Sequence, residues 1–331
     1  MPDRARFSDS AADGSPAGRG SDAGPPPAAD DDALLSTALA AAREAGALQR
    51  EQAGRLDPAA WSEKGTSDFV TEIDRESERI IVGRLRERFP RDRILAEEDT
   101  LGKEGTLGDD GRQEGADSAD GRLLWIIDPL DGTTNWLHGY PEYAVSIAGL
   151  DARGLRVGVV LNAATGETFA AARGRGATRD GEAIRVSAVS ELRLALLGTG
   201  FPFKKAELVP GYLRALGRML QVTSGVRRAG AAALDLCDLA CGRLDAFWEH
   251  WLMTWDVAAG ALIVREAGGT FAPLPDAGDE ALEPSVTGGR RICAAFRGEG
   301  GDPVGGGGFL AGNGLVEAEV GRAWREVMAG D

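Results

Sequence analysis

The sequence predicts a mixed α/β (α+β) protein, and three observations carry that reading. The apolar run Trp125-Ile126-Ile127 leads straight into Asp128-Pro129-Leu130-Asp131-Gly132-Thr133-Thr134-Asn135, the pattern of a strand covered on both faces that hands over to a helix. Between Tyr143 and Ala172 the residues alternate with the period of antiparallel strands. From about Ser187 onward, strand and helix patterns take turns.

The elements follow in order. Residues 1–32 are rich in Gly, Pro, Ala, Ser and Asp with hardly an aromatic, so a disordered acidic tail is expected. Asp30-Asp31-Asp32 would cap a long helix from about Ala33 to Gln52. Asp68 to Ile73 alternates like a strand, and Asp74 precedes an amphipathic helix carrying Ile80, Ile81 and Leu85. Ile94-Leu95-Ala96 reads as a strand ending in Glu97-Glu98-Asp99, and residues 100–122 as a long Gly- and Asp-rich loop. Pro129 is expected to stop the next strand, since it donates no N–H. The meander of 143–150, 156–161 and 168–172 ends in a hairpin turn at Asp180-Gly181. Gly174-Arg175-Gly176 sits in that meander, outside the strand-then-helix setting of a dinucleotide fingerprint. Asp256 opens the apolar helix Val257-Ala258-Ala259-Gly260, and a Gly-rich loop from 298 to 308 precedes the last strand. Two lobes are expected, 33–186 and 187–331.

Composition limits the function. A chain of 331 residues with 43% hydrophobic residues can bury a large core. Its net charge of −15 argues against a nucleic-acid substrate, because phosphate backbones are held by Lys and Arg. No signal peptide or membrane-spanning stretch is visible, so a cytoplasmic location is the default. Cys237, Cys241 and Cys293 are an odd set without paired spacing, and read as reduced, packed thiols. His138 and His250 have no partner at ligand spacing and read as surface or rim residues. The tryptophans read as core or interface filler.

The chemistry concentrates at the strand-to-helix turn. Asp128 and Asp131 lie three residues apart, where their charges repel unless a cation lies between them; hard divalent ions such as Mg²⁺ prefer such oxygens. Gly132 lets backbone approach a ligand, and the helix opened by Thr133 and Thr134 offers N–H groups to a phosphate. Taken alone, an Asp-Gly turn is more often a solvated surface turn, and Asp74 or Asp256 a helix cap. Three further acidic positions, at Glu97-Glu98-Asp99, Asp74 and Asp256, could complete the coordination of more than one ion.

With Trp255-Asp256-Val257-Ala258-Ala259-Gly260 downstream and Ala96-Glu97-Glu98 upstream, the Asp128–Asn135 run resembles the inositol monophosphatase family, in particular the bacterial inositol-1-monophosphatase type. Further matching stretches are Lys64–Thr71, Gly198–Phe203, Arg227–Asp235 and Leu310–Asn313, and the similarity runs from about Leu34 to about Glu326. The resemblance implies a layered αβαβα sandwich, a homodimer, and two to three Mg²⁺ ions per site. Glu97, Asp128 and the Leu130 carbonyl would hold the first ion, and Asp128, Asp131 and Asp256 the second. A weaker third would sit near Glu97, with Lys64 as an accessory residue on a loop expected to be mobile. Asp74 and Thr133 would orient and deprotonate the attacking water, and Gly132 and Thr133 would meet the phosphate. Glu249, Asp131 and Ala232 would line the inositol ring site. Thr134-Asn135 follows the inositol-type pattern, where relatives acting on phosphoadenosine or histidinol phosphate usually carry Lys followed by another residue. The expected activity is Mg²⁺-dependent, lithium-sensitive hydrolysis of myo-inositol monophosphate. The alternatives are a broader phosphatase acting on fructose 1,6-bisphosphate, phosphoadenosine phosphate or histidinol phosphate, and a non-catalytic interaction protein on the same fold.

Overall fold

A computed structural model of the protein describes residues 30–55, 62–65, 68–70, 72–98, 122–203, 205–275, 283–297, 299 and 305–328. The expected tail up to residue 29, the loop at 100–121 and most of the Gly-rich stretch at 298–304 lie outside the described residues.

Asp30 caps α1 (Asp31–Gln52) by accepting from the Asp32 N–H, so the helix begins two residues before Ala33. A short antiparallel pair, β1 (Ser62–Gly65) and β2 (Asp68–Val70), leads into α2 (Glu72–Arg88). The alternating pattern of 68–73 had promised a longer strand. Glu72 and Asp74 instead fill the first turn of α2, where the helix dipole favours carboxylates, and Ile81, Val82 and Leu85 bury one face. Asp74 is therefore a first-turn residue and not a cap.

A seven-stranded sheet runs in sequence order from β3 (Arg93–Ala96) through β4 (Leu124–Asp131), β5 (Ala144–Asp151), β6 (Gly154–Asn162), β7 (Thr168–Ala172) and β8 (Ala177–Arg179) to β9 (Glu182–Ile184). Only the β3–β4 pair is parallel. Asp180 and Gly181, both at positive φ (51° and 85°), make the β8–β9 turn. Pro129 does not end β4. Asp128 pairs with Ser146 and Asp131 with Ala144, so one extra residue bulges out between them. A bulge is where a missing N–H disturbs the ladder least.

After β9 come β10 (Leu196–Thr199), α4 (Val209–Val222), β11 (Gly225–Arg227), α5 (Ala232–Ala240), β12 (Ala246–Met253), α6 (Thr254–Glu266), β13 (Thr270–Pro273), α7 (Glu283–Arg297), β14 (Gly306–Gly312) and α8 (Glu317–Met328). The five-residue helix Thr133–Leu137 between β4 and β5 is α3. The second sheet has the order β11-β10-β12-β14-β13, parallel up to β12 and antiparallel beyond.

Five layers result. Helices α1 and α2 cover one face of the first sheet through Trp125, Ile127, Val145 and Ile147. Its other face, with Ile126 and Ala148, packs on α5, α6 and α7, which in turn meet Phe247 and Phe309 of the second sheet. Trp248 and Leu310 on the far face of that sheet meet α4 and α8. This is the αβαβα sandwich that the resemblance implied. Helix α6 is buried on nearly every side because two sheets clasp it, which explains its run of Val, Ala, Gly, Leu and Ile with little amphipathic contrast. Gly260 permits the closest approach: a Cβ there would lie 2.6 to 2.7 Å from Leu236 side-chain atoms on α5. Gly260→Ala is expected to overpack this contact and to destabilise the fold by about 1–3 kcal/mol, read as a lower urea midpoint with unchanged slope.

Candidate active site

The site forms where the first sheet, α5 and α6 meet. Glu97 follows β3 and is tied to β4 by its N–H on the Ile127 carbonyl, 3.2 Å. At the β4 bulge, Asp128 Oδ1 accepts from the Leu130 N–H at 3.0 Å. Asp131 reaches across to the second half of the chain, where its Oδ2 accepts from the Ala233 N–H at 2.8 Å in the first turn of α5. Gly132 precedes α3 at φ 86°, and a Cβ there would lie 2.8 Å from the Glu142 carbonyl, so glycine is required. Thr133 Oγ1 lies 3.1 Å from both Asp74 Oδ1 and the Leu130 carbonyl, and its one proton is shared between them. Asn135 donates to the carbonyls of Glu142 (2.7 Å) and Ala229 (3.0 Å), pinning the turn against the segment before α5. Asp256 sits in the first turn of α6, its Oδ2 accepting from the Met253 N–H at 2.7 Å.

One cavity of about 650 Å³ is lined by Glu97, Asp128, Leu130, Asp131, Gly132, Thr133, Ala232, Glu249 and Asp256. Asp74 stands behind Thr133, 1% exposed. Lys64 lies on β1, and its side chain is outside what the structure describes. Among the described residues, no three Asp, Glu, His or Cys side chains already close on a single coordination point. The carboxylates nonetheless share one cavity, where their charges act on one another.

Burial first, and neighbouring charges second, shift the protonation of these groups. Burial, reinforced by Glu97, Asp131 and Asp256, pushes the Asp128 carboxyl well above its ordinary range. Burial lifts Asp131 to about 7 against the pull of the Ala233 N–H, with Glu97 adding to the rise. Glu249 is raised by burial and by Asp256, while Arg228 opposes the shift. Its carboxylate lies against Gly200, where an added Cβ would come within 2.2 Å of it. A cation placed among these groups would relieve the burial and repulsion that raise them, and carboxylate and carbonyl oxygens are the donors that hard divalent ions take.

A sequence model of the inositol monophosphatase family matches residues 30–296. The chain belongs to that family. It is 44% identical over 262 residues to the Nus factor SuhB of Pseudomonas aeruginosa, spanning 78% of this chain and 92% of that protein. The Nus factor SuhB of Escherichia coli K12 is 38% identical over 264 residues, 80% and 94% of the two chains. Among solved structures, the inositol monophosphatase of Anabaena matches with a TM-score of 0.68 at 34% identity, covering 89% of this chain and 96% of its own. The extragenic suppressor protein suhB of Bartonella henselae matches at 0.71 and 34%, covering 88% and 98%.

Within this phosphatase-type family member, sequence reasoning missed several lining residues. Phe201, Phe203, Lys205, Arg228 and Trp251 also line the cavity. Phe201 and Phe203 fell in a stretch carried by the family resemblance, yet nothing in it signalled that their rings face a cavity. His250, read as a surface or rim residue, is among the residues lining the cavity, yet it is buried to 4% exposure, its ring 4.7 Å from that of Trp324. Period-2 alternation on β12 turns it towards the layer formed by α4 and α8, away from Glu249. His138 is exposed, as expected. Cys237 and Cys293 are buried free thiols, and Trp125, Trp136, Trp248 and Trp324 are core.

Burial lowers the His250 pKa to about 4. The unfolded chain takes up this proton below about 6.5 and the folded chain only near 4, so this group's contribution to stability is lost as pH falls through that window. Relative to wild type, His250→Phe is expected to gain stability steadily from pH 6.5 to 4.5, measured by urea unfolding at each pH. A constant difference would refute the assignment.

Proposed function

We propose that the protein is a Mg²⁺-dependent phosphomonoesterase that hydrolyses myo-inositol monophosphate to inositol and phosphate. The observation that carries this reading is the lining of a single cavity by Glu97, Asp128, Leu130, Asp131 and Asp256, all hard oxygen donors, from three separate parts of the chain. Glu97, Asp128 and the Leu130 carbonyl would hold one ion, and Asp128, Asp131 and Asp256 a second, with Asp128 common to both. A third would lie near Glu97, with Lys64 accessory to it. Bound Mg²⁺ would supply Lewis acidity to the phosphoryl group, lower the pKa of water and offset charge on the departing oxygen.

The chain's own residues provide the rest. When its proton turns to Asp74 Oδ1 and away from the Leu130 carbonyl, Thr133 Oγ1 can accept a proton from the attacking water while Asp74 takes the hydroxyl's own. The water oxygen then bonds to phosphorus as the ester P–O bond breaks, and the departing alkoxide takes a proton from solvent water to leave as inositol, while the proton held at Asp74 returns to solvent. Gly132 and Thr133 face the phosphate from the start of α3, whose first N–H groups have no intrahelical acceptor. Asp131 and Glu249 would accept from ring hydroxyls, with Ala232 as the small residue beneath them. Thr134-Asn135 and the similarity to the inositol monophosphatase of Anabaena support inositol monophosphate over the other phosphate esters. A Li⁺-sensitive, cytoplasmic homodimer belongs to the same proposal. The runner-up substrates are fructose 1,6-bisphosphate, phosphoadenosine phosphate and histidinol phosphate.

The relatives named Nus factor favour a second reading, in which the protein binds a partner and the fold serves without catalysis. Full biological activity of a variant that releases no phosphate would support it.

Asp128→Asn is expected to keep the fold and lose at least about a hundredfold in phosphate release from myo-inositol 1-phosphate with Mg²⁺, since even residues that only orient ligands cost 10–100-fold. Near-normal turnover would refute the site. Thr133→Val should lower kcat by about 10²–10⁴ while Thr133→Ser retains most of it, because the hydroxyl and not the methyl group relays the proton.

A further inference from the structure

The turn that carries Asp128 and Asp131 draws little support from its own sheet. Pairing of β4 with β5 is interrupted between those two residues, so Pro129 and Leu130 fall outside the regular ladder. The peptide that joins them is fixed by one bond on each edge. The Leu130 N–H donates to Asp128 Oδ1 at 3.0 Å, and the Pro129 carbonyl accepts from the side-chain amide of Gln49 at 2.6 Å. A trans peptide is planar and points its N–H and C=O in opposite directions, so holding one edge aims the other.

Gln49 lies in the last turn of α1, fully buried and behind the site, outside the cavity lining. Every other buried residue of that helix is Leu, Ala or Gly. An apolar side chain would serve the packing of α1 equally well, whereas the amide adds donors. Its Nε2 carries two protons, one for Pro129 and one for Ser77 Oγ on α2, 3.0 Å away. Its Oε1 is buried with no hydrogen-bond partner among the described residues. Turning the amide over would set that oxygen against the Pro129 carbonyl oxygen, so the carbonyl decides the orientation even though an acceptor is left unpaired. The Gln49 main chain grips the far side of the same turn, its carbonyl accepting from Trp136 Nε1 at 2.8 Å. One residue of α1 thus holds the chain on both sides of Asp131, Gly132 and Thr133.

We propose that Gln49 is a positioning residue for metal binding: by fixing the Pro129–Leu130 peptide it orients the carboxylate of Asp128, the ligand common to both ions. This role rests on the phosphatase reading of the site. Gln49 touches neither ion nor substrate and acts through a single peptide plane, as residues behind metal ligands commonly do.

Mg²⁺ dissociation constants, measured by titration calorimetry on the full chain without substrate, decide the role beside the Mg²⁺ dependence of phosphate release from myo-inositol 1-phosphate. Gln49→Met nearly keeps the side chain's length and removes its donors. It should weaken Mg²⁺ binding by about 10- to 100-fold and raise the Mg²⁺ needed for half-maximal release to match, with KM for the ester at saturating Mg²⁺ nearly unchanged. Ser77→Ala removes a buried bond to the same amide and leaves the Pro129 bond in place, so its Mg²⁺ affinity should stay close to that of the unaltered protein. A residue that only supported the fold would change how much protein binds and not how tightly the folded part does. Should Gln49→Met fail to fold by circular dichroism, Gln49→Asn, whose amide is one methylene shorter, should weaken Mg²⁺ binding in the same way. Unchanged Mg²⁺ affinity in the folded Gln49 variant, or an equal loss in Ser77→Ala, overturns the positioning role and leaves the phosphatase site standing. Neither Mg²⁺ binding nor phosphate release by the unaltered protein overturns both.

Discussion

Holding several carboxylates close together in a buried cavity costs free energy, because each loses water and faces the charge of the others. The architecture meets that cost with backbone N–H groups at element ends. Asp128 is held by the Leu130 N–H at a strand bulge, Asp131 by the Ala233 N–H at the start of α5, and Asp256 by the Met253 N–H at the start of α6. Asp74, in the first turn of α2, takes the Thr133 hydroxyl. Helix N-termini carry partial positive charge, so three of the four carboxylates sit where a fixed dipole favours them.

The five-layer sandwich exists in service of that geometry. Helix α6 must bring Asp256 to the ends of β3 and β4, and it can do so only by lying between two sheets. Its small residues make the approach possible: Gly260 sits against Leu236, and Ala259 lies within 3.0 to 3.2 Å of where a Cβ on Gly158 of β6 would be. The bond from Asp131 to α5 and that from Asn135 to Ala229 then tie the two halves of the chain together at the site itself. Removing the site's polar residues would therefore loosen the contact between sheets as well as the chemistry.

Two strand irregularities do most of the aiming. One lies after Asp128 on β4 and turns Asp131 towards α5; the other lies after Glu249 on β12 and turns Trp251 outward into a left-handed conformation. Bulges add a residue to one strand only and so break the strict alternation of faces, which lets neighbouring residues line one cavity. The outcome is one cavity whose lining combines carboxylates with Lys205, Arg228 and aromatic rings.

Much was legible in the chain alone. The strand-to-helix run at Trp125–Asn135, the antiparallel meander, the helix opened by Asp256 and the hairpin at Asp180-Gly181 all follow from local periodicity and turn chemistry, and the family could be named from motif order. Local pattern misled where tertiary context overrode it. Pro129 remained inside a strand because a bulge absorbed its missing N–H, the strand pattern before Asp74 yielded to the dipole and apolar face of α2, and His250 was buried by the alternation of β12. The Asp131–Ala233 bond, the burial of Glu249 against Gly200, and the seating of Lys205 and Arg228 on aromatic rings belong to no local pattern. They are contacts between residues far apart in sequence, and only packing of the two sheets around α6 could decide them. Residue order thus determined the kinds of ligand atoms and the elements that carry them, whereas their convergence was decided by which faces the layers had to bury.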